Sequence, residues 1–390
     1  MELLVWLSIG LIAYTYFIYP ILLFILSGLK QSMRDTSYLW RRHQRRSKAL
    51  NEFPAVSIVI AAYNEEGCIE QRVKNLLELD YPKDRLTIYI GSDGSSDTTA
   101  EILRSIHDDR LNAHIFDVNR GKMSVLNDLM SEVQDEIVIM SDANTHFEKD
   151  AVSKLVRHFD RPEIGAVCGE LHLVDAASGE NKDSVYWRYE QVLKFHESRL
   201  GALLGANGAI YAIRKELFRP LPANTIIDDY QIVMNVAQQN FKTVYDPEAV
   251  AVEEVAPGLT AEEGRRIRIG LGNYQAFFSM YWALNPSLGW RFFTYVSHKV
   301  IRWFVPHLMI VALVSNFLMI GEPFYALLFL LQLLFYWIAY RGIVKQKANQ
   351  SPSTIVALCA FFVSMNFSLL IGFIRYFNSN VQGSWQRTSR

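Results

Sequence analysis

Apolar and polar positions are spread very unevenly along this chain, and the unevenness predicts two kinds of structure. Leu3 to Leu29 is almost continuously apolar, with no charge between Glu2 and Lys30. It has the length of a helix that crosses a hydrocarbon core, and without a small-residue cleavage site it reads as a retained anchor. Three more apolar runs follow late in the chain: Ile301 to Ile320, Phe324 to Tyr340 and Thr354 to Ile374. They are parted by Gly321-Glu322-Pro323 and by a connection with Arg341, Lys345 and Lys347. Four membrane-crossing helices are expected, with Pro306 marking a place where one could break and re-enter.

The stretch between changes period. Val56 to Ala61 is a short β-rich run, and Glu65 to Leu79 carries Val73, Leu76 and Leu77 at helical spacing. Strand signals return at Leu86 to Ile90, Ala113 to Phe116, Glu136 to Met140 and Ile210 to Ile213, with helical patterns from Thr98 and across Lys122 to Ser131. Alternating β and α elements predict a largely parallel sheet, which binds ligands at the carboxyl ends of its strands. That rule selects Ala62-Tyr63-Asn64-Glu65 after the first strand, Asp93 after the second and Ser141-Asp142-Ala143-Asn144 after the fourth. Asp97 reads as the cap of the next helix. Trp187 to Leu200 and Arg266 to Trp282 mix aromatics with bases at helical spacing, the pattern of core packing or of helices lying in the membrane interface. Trp290 to Trp303, with Arg291, His298, Lys299 and Arg302, strengthens the interfacial reading, and His298 is assigned packing or snorkelling.

Charge sharpens orientation. The chain of 390 residues has 39 Lys and Arg against 40 Asp and Glu; without a broad basic domain or zinc-type spacing, nothing points to a nucleic-acid partner and none is expected. Arg34, Arg41, Arg42, Arg45, Arg46 and Lys48 follow the first apolar run, which places the middle region in the cytosol. The connection with Arg341, Lys345 and Lys347 returns there as well, and the tail with Arg375, Arg387 and Arg390 runs against the rule. The scattered Cys68, Cys168 and Cys359 fit a reduced compartment. No Gly-x-Gly-x-x-Gly turn follows the first strand and no Gly-Lys-Ser/Thr loop exists, so a bound phosphate must be neutralised otherwise. Acidic strand ends do this through a divalent cation.

Taken together, Ala61-Ala62-Tyr63-Asn64-Glu65-Glu66, Ser92-Asp93-Gly94-Ser95-Ser96-Asp97, Gly121-Lys122, Ser141-Asp142-Ala143-Asn144 and Asp228-Asp229 resemble family-2 glycosyltransferases over about Pro54 to Phe278. The flanking apolar runs are similar to the membrane-embedded branch that makes cellulose, hyaluronan, chitin oligosaccharides and poly-N-acetylglucosamine. The resemblance implies an α/β GT-A domain, Rossmann-like with a mixed, mostly parallel sheet, plus transmembrane and interfacial helices. The expected organisation is a membrane helix over 1–30, a basic cytosolic linker over 31–53, the GT-A domain over 54–260, interfacial helices over 261–299, three membrane helices over 300–378 and a tail over 379–390.

Carried over by position, the resemblance implies nucleotide contacts from Ala61, Tyr63, Glu65, Asp93, Lys122 and Arg268, with Asp93 on the base and Lys122 beside the base or diphosphate. It implies Mg²⁺ or Mn²⁺ at Asp142. Asn144 stands where the family's second metal carboxylate usually is, and an amide oxygen can ligate or hold a metal-bound water. Asp229 is the expected base, with Asp228 beside it, and Gly205, Ala206 and Asn207 the expected acceptor loop. Arg265-Arg266-Ile267-Arg268-Ile269 replaces the branch's Gln-x-x-Arg-Trp. It keeps the cation at Arg268 and loses the ring that shapes the acceptor site; Arg265 and Arg266 suit either the site or anionic headgroups. The implied activity is inverting transfer from a UDP-sugar to a growing glycan, coupled to export, or to a lipid-linked acceptor. A silent nucleotide-sensing or assembly protein is the reading from another class. The implied setting is the cell's inner membrane, crossed several times, with membrane lipids and an oligomer or export subunit as further partners.

Overall fold

The computed structural model describes residues 1–41, 52–175, 185–254, 259–348 and 350–378. The basic positions Arg42, Arg45, Arg46 and Lys48, and Arg387 and Arg390, lie outside them. One eight-stranded sheet organises the middle of the chain: β1 (Val56–Ala62), β2 (Leu86–Asp93), β3 (Leu111–Phe116), β4 (Ile137–Asp142), β5 (Thr145–Phe147), β6 (Ile164–Val174), β7 (Tyr211–Arg214) and β8 (Lys242–Glu254). Their order is β3-β2-β1-β4-β7-β6-β8-β5. β1 pairs in parallel with β2 and β4, β2 with β3 and β6 with β8, whereas β7 runs antiparallel to β4 and β6, and β5 antiparallel to β8. The sheet is thus mixed and mostly parallel, the GT-A arrangement.

Parallel strands are covered on both faces, so β1 is apolar throughout and buried at every position. Its period-2 geometry divides it: Ile58 and Ile60 join the helices Ile69–Leu77 and Ala151–Val156 in one core, and Val59 and Ala61 join Lys122–Glu132 and Asp228–Gln238 in the other. Register then sets the site, because Ala61 lies opposite Asp142, and Ala62 opposite Ser92. The strand ends anticipated from sequence therefore finish at one level of the sheet.

Among the described residues, four helices are long and apolar enough to cross a membrane: Glu2–Trp40, Trp290–Leu318, Pro323–Lys347 and Thr354–Asn378. Three differ from the sequence expectation, the third running on to Lys347 through the basic residues read as a connection. The first continues well past Leu29, through a π turn at Tyr14–Ile18. The second starts at Trp290 rather than Ile301, since another π turn, Tyr295–Val300, carries the helix through residues read as interfacial. Pro306 is accommodated inside that helix and does not break it.

The helix Leu259–Ser279 lies against Thr354–Asn378. A Cβ on Gly372 would come within 2.6 Å of the Gly270 backbone, so two glycines let these helices touch. The helix Val185–Leu200 docks on the first long apolar helix: Tyr19 Oη donates to Glu197 at 2.7 Å, Ser27 Oγ meets His196 at 2.6 Å, and Lys30 Nζ donates to the Leu200 carbonyl at 2.6 Å. Both helices read as core or interfacial are thus packed against membrane-type helices. His298 is fully buried 2.6 Å from Glu197, and Arg302 pairs with Glu190, so this residue belongs to an ionic clamp and does not snorkel.

Candidate active site

The turns after β1 and β2 are sewn to each other. The Asn64 N–H donates to Ser95 Oγ at 3.1 Å and Asn64 Oδ1 accepts from the Ser96 N–H at 2.8 Å. Glu65 N–H donates to Thr99 Oγ1 at 2.8 Å. Asp97 accepts from Thr99 N–H at 3.0 Å, opening the next helix as anticipated, and also from Glu66 N–H at 3.2 Å. This stitching presents Tyr63 at the strand end, half-buried. Glu65 is buried and accepts from the Cys68 thiol at 3.2 Å.

Two residues expected to contact nucleotide are buried in the fold. Ala61 is 1% exposed because it sits inside the central strand with neighbours on both sides. Asp93 has no exposed surface at all, and its carboxylate accepts the backbone N–H groups of Arg120 at 2.9 Å and Gly121 at 2.8 Å. It holds this loop against the end of β2. Gly94, at φ +64°, allows the loop close: a Cβ there would lie 2.4 Å from Asn119 N.

That loop delivers Lys122, the first residue of its helix. The ammonium lies 2.8 Å from Asp142 Oδ1 and 3.0 Å from Asp228 Oδ2, where sequence alone placed it against base or diphosphate. Burial opposes its charge, but Asp142 and Asp228 outweigh that and raise its pKa above the ordinary lysine value. The other Asp142 oxygen and Asp229 both border Gly208: a Cβ there would be 3.4 Å from Asp142 Oδ2 and 3.4 Å from Asp229 Oδ2. Burial first, and then repulsion from Asp228, push the Asp229 carboxyl up to about 6. Three carboxylates from β4 and the helix Asp228–Gln238 thus converge around one lysine.

The loop before β7 completes the crevice. Gly205 is at φ +93° and a Cβ would meet the Tyr230 ring at 2.7 Å. Asn207 is buried and spent on the protein: its side chain donates to the Gly169 carbonyl at 2.9 Å, accepts from Lys194, and its N–H meets Cys168 Sγ at 3.3 Å. Half-buried Ala206 and Gly208 present the loop to the crevice. Arg268 is exposed, one helical turn before Gly272, which packs on Ile226 and Ile227 just ahead of Asp228. It lies on the face toward the acidic pair and touches none of its members. Arg266 instead covers the Phe361 ring at 5.2 Å.

Gly208, part of the small-residue loop, borders both Asp142 and Asp229. Sequence reasoning passed over two contributors. Lys194 latches Asn207. Arg72, fully buried, donates to Ser141 Oγ at 2.7 Å, and Ser141 Oγ in turn donates to the Ala209 carbonyl at 2.6 Å, tying the end of β4 to the acceptor loop. Its signal was present: Arg72 falls among Ile69, Val73 and Leu76 on the apolar stripe of its helix.

The donor set suits a hard divalent cation, and the Lys122 ammonium already marks a cation position between Asp142 and Asp228. Among the described residues no group of three carboxylate, imidazole or thiol side chains forms a metal cage. A cation here needs oxygens from a phosphate or water as well. Asn144 lies two residues after Asp142 in the turn before β5, with its Nδ2 buried and unpartnered.

A family model described as glycosyl transferase family 2 matches residues 57–219. A poly-β-1,6-N-acetyl-D-glucosamine synthase of Staphylococcus epidermidis is 27% identical over 241 residues, 58% of this chain and 56% of that protein. A β-monoglucosyldiacylglycerol synthase of Synechocystis is 25% identical over 249 residues, 61% of this chain and 52% of that protein. The matched region spans little more than half the length of these curated relatives. Among solved structures, the mannosyltransferase PcManGT from Pyrobaculum calidifontis in complex with GDP-Man and Mn²⁺ superposes with a TM-score of 0.69 at 20% identity, over 96% of this chain and 99% of that one. That likeness concerns the fold. The sheet, the ordered strand-end motifs and the family match agree on a family-2 glycosyltransferase domain over residues 57–219.

Proposed function

We propose that the chain is an inverting hexosyltransferase that moves a sugar from a nucleoside diphosphate, a UDP-sugar by its motif set, to a glycan growing at a membrane. The observation that carries this is the meeting of Asp142 and Asp229 across Gly208, with Asp228 paired to Lys122. A hydroxyl is a weak nucleophile at neutral pH, and a carboxylate with a pKa near 6 is ionised there yet basic enough to share its proton. Asp229 accepts the acceptor proton as the new carbon–oxygen bond forms and the bond to the diphosphate breaks on the opposite face. Tyr63 and Glu65 border the nucleoside side, Gly205 and Asn207 shape the acceptor side, and Ala206 and Gly208 leave room for a sugar ring. Arg268 meets the diphosphate from the mouth. Mg²⁺ or Mn²⁺ held at Asp142, with Asn144 as ligand or as holder of a water, would neutralise the leaving diphosphate.

The four apolar helices and the basic stretch after the first support an inner-membrane enzyme with its catalytic domain in the cytosol. A second reading, one sugar placed on a lipid, is favoured by the likeness to the glucosyldiacylglycerol synthase. Purified enzyme incubated with lipids, Mg²⁺ or Mn²⁺ and a panel of UDP- and GDP-sugars separates the two: polymer is expected, and a single-sugar glycolipid as sole product rejects it. Asp229→Asn should cut transfer by about a thousandfold or more, the scale of losing a general base together with its positioning, while nucleotide binding persists. Unchanged transfer in that variant would sink the assignment of the base.

A further inference from the structure

We infer that Lys122 is a tethered counter-cation which occupies the metal position of the donor-free enzyme, so that divalent cation and diphosphate bind synergistically. The inference rests on reading the crevice as a metal–diphosphate site and goes beyond it by assigning Lys122 control over when the metal enters.

The ammonium touches Asp142 at 2.8 Å and Asp228 at 3.0 Å, the carboxylate assigned to the metal and the neighbour of the base. This contact is built from below. Buried Asp93 grips the two N–H groups just before Lys122, and Gly94 has no Cβ to hold that loop away. Three carboxylates crowd together here, and one positive charge among them relieves their repulsion. A metal arriving alone must take Asp142 from a cation already bonded to it, or sit beside that cation and be repelled. A diphosphate changes the balance because it offers the ammonium a second anionic partner. The four-carbon lysine stem lets the charge swing without moving the helix. Once Lys122 turns to phosphate, Asp142 can take up the metal, and phosphate oxygens would supply further ligands. Linkage requires the converse: metal must tighten nucleotide binding by the same factor.

The test uses the full-length protein in detergent micelles and Mn²⁺ as probe, titrated alone and with saturating UDP or GDP, with bound metal read by electron paramagnetic resonance. Wild-type protein should bind Mn²⁺ at least tenfold more tightly with nucleotide than without. Lys122→Met should bind Mn²⁺ alone at least tenfold more tightly than wild type and lose most of the nucleotide enhancement, whereas Lys122→Arg should behave as wild type. Lys122→Met binding Mn²⁺ no tighter than wild type, or a wild-type affinity indifferent to nucleotide, overturns the inference. Mn²⁺ bound independently of Lys122 removes the latch and leaves the metal site standing; no Mn²⁺ bound in any protein even with nucleotide removes the site itself. If Lys122→Met does not fold, ¹³C-dimethylation of the wild-type lysine decides. Its resonance should shift with UDP plus Mn²⁺ and stay in place with Mn²⁺ alone, and a shift with Mn²⁺ alone overturns the inference.

Discussion

Asp229 shows how a single carboxyl takes its chemistry from its surroundings. Its pKa is raised from 3.8 to about 6 by burial and by Asp228, while Lys122 and the Tyr230 N–H act in the opposite direction. A general base must be ionised, so transfer should fall as the pH drops through about 6. Replacing Asp228 by Asn removes the second cause, and the acid limb of a pH–rate profile should move to lower pH; a limb that stays in place would contradict this account. The stability effect of this group has the other sign. A raised carboxyl pKa means that the folded state holds the proton more tightly than the unfolded chain, so this residue favours folding increasingly as the pH falls from about 6 toward 3.8. Activity lost near pH 6 is therefore not unfolding through Asp229.

At the scale of elements, the loop 205–210 does two separable jobs. Gly205 is required by the backbone, with φ +93° and the Tyr230 ring 2.7 Å from any Cβ. Gly205→Ala should cost about 1–3 kcal/mol of stability, read as a lower melting temperature. Gly208 has no positive φ, and an added Cβ would make ordinary 3.4 Å contacts with Asp142 and Asp229. Gly208→Ala should thus leave melting nearly unchanged while reducing transfer, because the methyl fills the space between the facing carboxylates. Equal behaviour of the two variants in both assays would refute this division.

Across the whole molecule, the catalytic domain and the membrane-type helices meet at the helix Val185–Leu200. Glu197 accepts from Tyr19 of the first long helix and pairs with His298 of the second, and Lys194 on the same helix latches Asn207 in the acceptor loop. Glu197→Ala strands two buried polar groups, each costing about 1–3 kcal/mol. Thermal unfolding in micelles should show that loss, and transfer should weaken through the acceptor KM more than through nucleotide affinity, since the disturbed helix reaches the acceptor loop and not the nucleotide turns.

Much of this was legible in the residues alone. β1, β2 and β4, the polar turns after them and four long apolar stretches follow from local period and length, because each element's own sequence carries its burial pattern. β5, β6 and β8 were missed: β6 and β8 pair with each other across a long sequence separation, and no local pattern encodes a partner. The same limit applies at the site. The acidic turn after β4 named Asp142 and the family resemblance named Asp229, but how closely they approach depends on how the loop at Gly208 runs past β4. Asp93 and Asn207 were given ligand roles by the family resemblance; folding buries both against backbone groups that have to be satisfied. Lys122 likewise carried only a positive charge in the sequence. The tertiary structure chose its partners, since an ammonium settles where distant segments bring carboxylates together.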